Sequence, residues 1–269
     1  MKQETRSSAS QNLPFDVSDW TGAQVPLHPN RTVPMTRVAA IPKYEAVRTV
    51  IEGHRVYATP LGLKPSVTTI LRDDSRFAGW RKYKGEKAAD EILQRASARG
   101  TWTHDGAEQF LTTGEHPPFH FSYQPFYNSL RPFLEQIEQP LLLEGAVWNS
   151  DNYAGALDCL AYMPGDGDQP TCIDFKTANK PVTGSKLYGY ELQVAAYIKA
   201  ANFVYARQGL CIKKGLIVVA LPNKPYQIHE LARTDINQLY CHFLEKLEDW
   251  HEKNPLPGDY PQPMSRGVA

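Results

Sequence analysis

The sequence predicts a mixed α/β domain, an α+β or α/β core that carries a helical insertion contributed by its N-terminal half. Three observations predict it. Helix-period segments crowd between about residues 65 and 140. From 141 to 177 the composition turns to strand, in "LLLEGAVWN", "YAGALDCLAYM" and "TCIDFKT". A helix, two further strands and a last helix then complete the chain. No internal repeat is visible.

Taken in order, residues 1–40 are rich in Ser, Pro, Asn and Gln and show no sustained period. They read as a disordered or extended lead-in. That leaves 41–269 as one domain, with about 65–140 as a helical subdomain and about 141–269 as the core. "YEAVRTVIEGHRVYAT" gives two β-rich runs around Glu52-Gly53, a hairpin signal. In "KPSVTTIL", Ser66 is placed to cap a short helix starting at Val67. Residues 77–111 read as helix with a break near Gly100, and "TWTHDGAEQFL" as a second helix start. "TGEHPPFHF" is a loop. "YQPFYNSLRPFLEQI" is another helix, with Pro125 near its start and Pro132 as a weak point.

After the strand region, "ELQVAAYIKAANFVYA" reads as helix, "GLIVVAL" as a buried strand and "YQIHEL" as its partner. In the last helix Ile236, Leu239, Tyr240, Phe243, Leu244, Leu247 and Trp250 recur at three- and four-residue steps. Thr234 stands where its cap belongs.

Composition narrows the function. Hydrophobic content of 42% supports a real core, and 29 basic residues balance 29 acidic ones. Balance leaves nucleic acid open as a partner, because local clustering matters more than the sum. The four cysteines, at 159, 172, 211 and 241, form no CxxC pair. They read as reduced core thiols rather than a disulfide, zinc or iron–sulfur framework. No apolar run reaches the roughly 18 residues of a membrane span.

The chemistry centres on two aspartates and a lysine. Side chains alternate along a strand, so Asp174 and Lys176 share a face while Ile173 and Phe175 point to the core. Asp158 lies on the preceding strand, where a hairpin can bring it close to Asp174. Two adjacent carboxylates repel, and a divalent cation relieves them. Hard oxygen ligands suit Mg²⁺ or Mn²⁺. A lysine beside such an ion can orient water or neutralise charge on a phosphate oxygen. Metal, carboxylates and lysine together serve phosphodiester hydrolysis. The alternative for Asp-x-Lys alone is an ion pair on an exposed strand.

"GALD" (155–158), "IDFKT" (173–177) and "LQVAAY" (192–197) resemble the PD-(D/E)xK nuclease superfamily in its RecB-like branch. Within it the chain is similar to the mitochondrial genome maintenance exonuclease group and its bacterial and phage relatives. "PSVTTIL" (65–71), "RGTWTH" (99–104) and "GLIVVAL" (215–221) extend the resemblance over roughly residues 50–250.

The resemblance implies a restriction-endonuclease-like core, a central mixed sheet flanked by helices, with an N-terminal helical arch over the site. It implies Asp158 and Asp174 as metal carboxylates, Lys176 as the catalytic lysine, His104 as a further ligand and the Phe175 carbonyl facing the metal. Gln193 and Tyr197, four apart on one helix face, would position the lysine or the phosphate. Glu108 and Glu144 are candidates for an outer contact.

The expected reaction is Mg²⁺- or Mn²⁺-dependent exonucleolytic hydrolysis of DNA, selective for a single strand threaded under the arch. Residues 72–99 hold eight Lys/Arg against five Asp/Glu, interleaved with Phe77, Trp80 and Tyr83. They suit phosphate and base contacts, or equally a solvated amphipathic helix. Trp80, Arg81 and Tyr83 are therefore candidate strand contacts, as is Lys180. Ser66 and Thr68 could meet a phosphate at a helix N-terminus. The alternatives are an endonuclease on duplex or branched DNA and a non-catalytic DNA-binding module on the same fold. The expected setting is a monomer away from membranes, in bacterial or phage-infected cytoplasm, or in mitochondria if the source is eukaryotic.

Overall fold

The computed structural model describes residues 23–24 and 40–254. Nearly all of the expected lead-in, 1–40, lies outside the described residues. Within it, β1 (Ala23–Gln24) pairs antiparallel with β2 (Pro42–Lys43).

The first hairpin is where the sequence places it. β3 (Arg48–Ile51) and β4 (His54–Thr59) pair antiparallel, and β5 (Gly62–Pro65) adds a third strand. The turn needs positive φ at both central residues, and Glu52 (51°) and Gly53 (81°) supply it. Ser66 then caps the one-turn α1 (Val67–Ile70): its Oγ accepts the Thr69 N–H at 3.0 Å.

The helical region differs from expectation at its break. α2 (Asp74–Lys84) ends at Gly85, whose φ of 81° leaves the helical range, and α3 (Glu86–Thr113) then runs unbroken through Gly100. A mid-helix glycine costs only about 1 kcal/mol. Packing of a 28-residue helix that buries Ala89, Thr103, Ala107 and Leu111 outweighs that. α4 (Gln124–Leu134) tolerates Pro132 because it falls in the last turn.

The core is a five-stranded mixed sheet in the order β10-β9-β8-β7-β6. β6 (Gln139–Asn149), β7 (Tyr153–Tyr162) and β8 (Thr171–Thr177) form an antiparallel meander. α5 (Gly184–Val204) crosses over to β9 (Lys214–Ala220), which runs parallel to β8. β10 (Gln227–Leu231) closes the far edge antiparallel to β9. β6 is the other edge, where Pro140 sits beside a register shift, as a residue without an N–H should.

Helices flank both faces. α5 covers one, and Gly215 lets it approach: a Cβ there would lie 2.6 Å from Val194 Cγ1. α6 (Arg233–Lys253) backs α5, burying Ile236, Phe243, Leu247 and Trp250. It is capped two residues earlier than Thr234: Ala232 is the N-cap, and its N–H donates to Asp235 Oδ2 at 3.1 Å. α3 and α4 lie on the other face, where Phe133 meets Phe175 edge-on with ring centroids 6.3 Å apart. Among the described residues no helix is long and apolar enough to cross a membrane.

Candidate metal centre

The site forms where two strands part. The β7–β8 ladder is regular up to the Cys159–Ile173 pair. Past it, Asp158 Oδ2 accepts the Phe175 N–H at 2.7 Å, so a side chain takes the bond that a neighbouring strand would otherwise make. Into this opening comes His104 from α3. Its Nε2 bonds the Phe175 carbonyl oxygen at 2.8 Å. Its Nδ1 lies 3.6 Å from Asp158 Oδ1 and 3.5 Å from Glu144 Oε1.

Glu144 is the residue that sequence reasoning placed no closer than an outer contact. Leu143 opposite Cys159 and Gly145 opposite Leu157 set it opposite Asp158 across the β6–β7 ladder. Its φ is 48°, the left-handed region that a non-glycine residue seldom occupies inside a strand. His104, Glu144 and Asp158 each offer a ligand atom, and all three atoms lie within 4.8 Å of one another. This set could hold a metal ion. It differs from the expected His104–Asp158–Asp174 set. Glu108, the other acid considered, instead pairs with Lys43 at 3.1 Å.

Asp174 stands beside the cluster in different company. It is fully buried, with Lys176 Nζ 2.8 Å from Oδ1 and 2.6 Å from Oδ2. Only Oδ1 receives an aligned hydrogen bond from the ammonium; Oδ2 is buried without one. Gln193 Nε2 also donates to Oδ1, at 3.2 Å, and lies 3.1 Å from the Tyr197 hydroxyl. Tyr197 in turn rests on β7 at Gly155, where a Cβ would approach its Cε1 to 2.5 Å. The glycine of "GALD" thus makes room for the tyrosine that steadies the glutamine that holds the aspartate.

The electrostatics follow from burial and crowding. Burial pushes the Asp174 carboxyl up to about 6, with the Asp158 charge adding and Lys176 opposing. Asp158 is also raised, chiefly by burial, against the pull of His104 and Lys176. Burial lowers His104, but Asp158 and Glu144 together outweigh it and hold the imidazole up at about 9. Lys176 follows the same pattern: Asp174 and Asp158 overcome its burial and keep it above an ordinary lysine. The cluster therefore holds excess negative charge with a buried, poorly satisfied carboxylate oxygen beside it. A divalent cation with hard oxygen and imidazole ligands fits that deficit.

The expected strand contacts divide. Ser66 is buried, and its hydroxyl is used by the cap and by Thr68 and Thr69, so it is not free for a phosphate. Thr68 is exposed on a helix of a single turn. Arg81 is held by Glu86 and by Asp90, the latter at 2.8 Å, and so clamps α2 to α3. Tyr83 is 82% exposed, whereas Trp80 is half-buried and stacks on Phe77. Lys180 is exposed just beyond β8. Cys159 and Cys172 are buried in the sheet, where burial pushes both thiols up, whereas Cys211 and Cys241 are exposed and not the core thiols expected.

No family model matches the chain, and no curated protein matches it. Among solved structures it is similar to the crystal structure of SSO0001, at 17% identity and a TM-score of 0.37, over 67% of this chain and 74% of that one. A likeness that distant carries no argument about function.

Proposed function

We propose that this chain is a metal-dependent nuclease with a PD-(D/E)xK core, hydrolysing phosphodiester bonds of DNA and acting as an exonuclease on single strands. One observation carries the reading: an imidazole, two carboxylates and a backbone carbonyl converge where β7 and β8 part, next to a buried Asp174–Lys176 pair. A structural ion pair needs no such excess of acid, and burying it is costly. Active sites are where such costs are retained.

His104, Glu144 and Asp158, with the Phe175 carbonyl, would hold the ion. Bound there, it supplies positive charge for the phosphoryl group and lowers the pKa of an attached water. The protein's own groups do the rest. Lys176, kept protonated by Asp174 and Asp158, donates to a phosphate oxygen as negative charge builds on it. Asp174, whose Oδ2 has no hydrogen-bond partner, would orient the attacking water and accept its proton. Gln193 fixes the Asp174 carboxylate in one orientation, and Tyr197 fixes Gln193.

End-labelled single strands, duplexes and covalently closed single-stranded circles, incubated with Mg²⁺ or Mn²⁺, test the reading. Linear strands are expected to shorten from an end while circles persist. Circles cut as fast as linear strands would exclude the exonuclease, and no cleavage of any DNA with either ion would exclude the nuclease.

A further inference from the structure

Beside the metal centre, at the C-terminal end of β8, lies a cavity of about 790 Å³. α3 forms one wall with Arg95 and Arg99, and the 178–186 segment forms the other with Asn179, Lys180 and Lys186. Four cations line it and no carboxylate does. In a chain with equal numbers of acidic and basic residues, that is a local concentration of one sign. Among the described residues none of the four pairs with an acid. Arg99 is oriented entirely by neutral groups: Nε donates to Thr177 Oγ1 at 3.0 Å, Nη1 to Asn179 Oδ1 at 3.2 Å, and its guanidinium lies 4.7 Å from the Phe126 ring centroid.

The start of α5 adds to the same field. Thr183 makes no side-chain cap bond, and the first turn has no acidic residue. It carries Lys186 instead, a cation at the positive end of a helix dipole, where an anion belongs. That choice disfavours the helix by itself and favours a bound anion. One ring stands between a lysine of the cavity and the lysine of the candidate site. The Tyr190 ring has Lys176 Nζ 5.1 Å from its centroid and Lys186 Nζ 5.9 Å from it.

We infer that this cavity is a second anion site, seating a phosphate of the nucleic-acid strand adjacent to the phosphate engaged at His104, Glu144 and Asp158. The identity of the strand rests on the nuclease reading; the anion selectivity rests on the lining alone. Arg99 forms the fixed floor, and Arg95 and Lys186, both exposed, close over the phosphate from opposite walls.

The test measures binding and needs no catalysis. Fluorescent oligothymidylate, with and without a terminal phosphate, is titrated against the full chain in EDTA at several salt concentrations. Arg95→Gln/Lys186→Gln should bind roughly tenfold more weakly at low salt, with the slope of log K on log salt reduced by about 1.4 for two lost contacts. Its melting temperature should match the parent's. A Lys224→Gln/Lys246→Gln control pair should leave both values unchanged. A loss seen only with phosphorylated ends assigns the cavity to a chain terminus; a loss with both assigns it to an internal phosphodiester. Parent-like affinity and slope in the double variant overturn the anion site and leave the nuclease reading standing. Weakened binding by a chain that cleaves nothing upholds the anion site and removes the nuclease. A parent that binds no strand in EDTA overturns the anion site and leaves the nuclease reading to the cleavage assay with Mg²⁺ or Mn²⁺.

Discussion

Glu144 combines a strained backbone with a place in the candidate metal cluster, and two substitutions separate these. Its φ of 48° costs a non-glycine residue about 1–2 kcal/mol. Glycine removes that penalty but adds about 0.5–1 kcal/mol of chain entropy. On these backbone terms Glu144→Gly should therefore leave the metal-free protein equally stable or more stable by up to about 1.5 kcal/mol, a rise of up to roughly 3–6 °C in a domain of this size. It also relieves the repulsion that Glu144 exerts on Asp158 and gives up its attraction for His104, two effects of opposite sign that Glu144→Gln shares. Glu144→Gln keeps the strain and removes only the charge. Both should weaken divalent-ion affinity by at least 10–100-fold, the loss known for groups that merely support a ligand. Thermal melts with and without Mn²⁺, paired with calorimetric titration, measure the two effects. A metal-free Glu144→Gly that melts below Glu144→Gln refutes the strain argument, since the two lose the same charge and differ in the backbone. A Glu144→Gln that keeps the parent's Mn²⁺ affinity refutes its place among the ligands.

Three further outcomes are expected. Gly100→Ala has open space for its methyl group in the middle of α3 and should stabilise the chain by about 0.5–1 kcal/mol in denaturant titration. Gly155→Ala drives a methyl group into Tyr197, so it should cost about 1–3 kcal/mol, and the proposed DNA cleavage should fall further than the residual folded fraction explains. The third concerns pH in the absence of metal. His104, raised to about 9, contributes stability that is present below its unfolded value near 6.5 and lost as pH climbs through 9. Asp174, raised to about 6, favours the fold when protonated, and that contribution is lost between about 4 and 6. Both slopes have one sign, so the melting temperature should fall from pH 4 to 9. A divalent ion should flatten or reverse the trend, since its binding displaces protons. A metal-free melting temperature that rises across this range would contradict both assignments.

What the sequence disclosed, and what it withheld, has a physical pattern. Asp174 and Lys176 were legible because strand alternation is strict over two residues. That Gln193 and Tyr197 share a face was legible because a helix returns after four residues; their place beside Asp174 was an expectation from the family resemblance. His104 followed from the family resemblance. Glu144 was not legible: a lone glutamate in an apolar strand looks the same whatever its φ, and only the register with β7 reveals its partner. The helix break fell at Gly85 rather than Gly100 because both are glycines in helical pattern, and tertiary packing alone decides which leaves the helix. The basic character of 72–99 was visible, but Arg81's two carboxylate partners lie on the next helix. Of the four cavity cations only Lys180 was singled out as a strand contact, for a related reason. Arg95 and Lys186 are distant in sequence and meet only because α3 and the start of α5 face each other across the end of β8.

The continuity of α3 through Gly100 has a mechanical consequence. Arg99 fastens this rod to Thr177 at one point, and His104 fastens it to the Phe175 carbonyl at another, about 7–8 Å further along the axis. One fastening leaves a cylinder able to pivot; two fix both its tilt and its spin. The imidazole owes its aim to a guanidinium that never touches it, so loosening the far pin would swing the near one out of line.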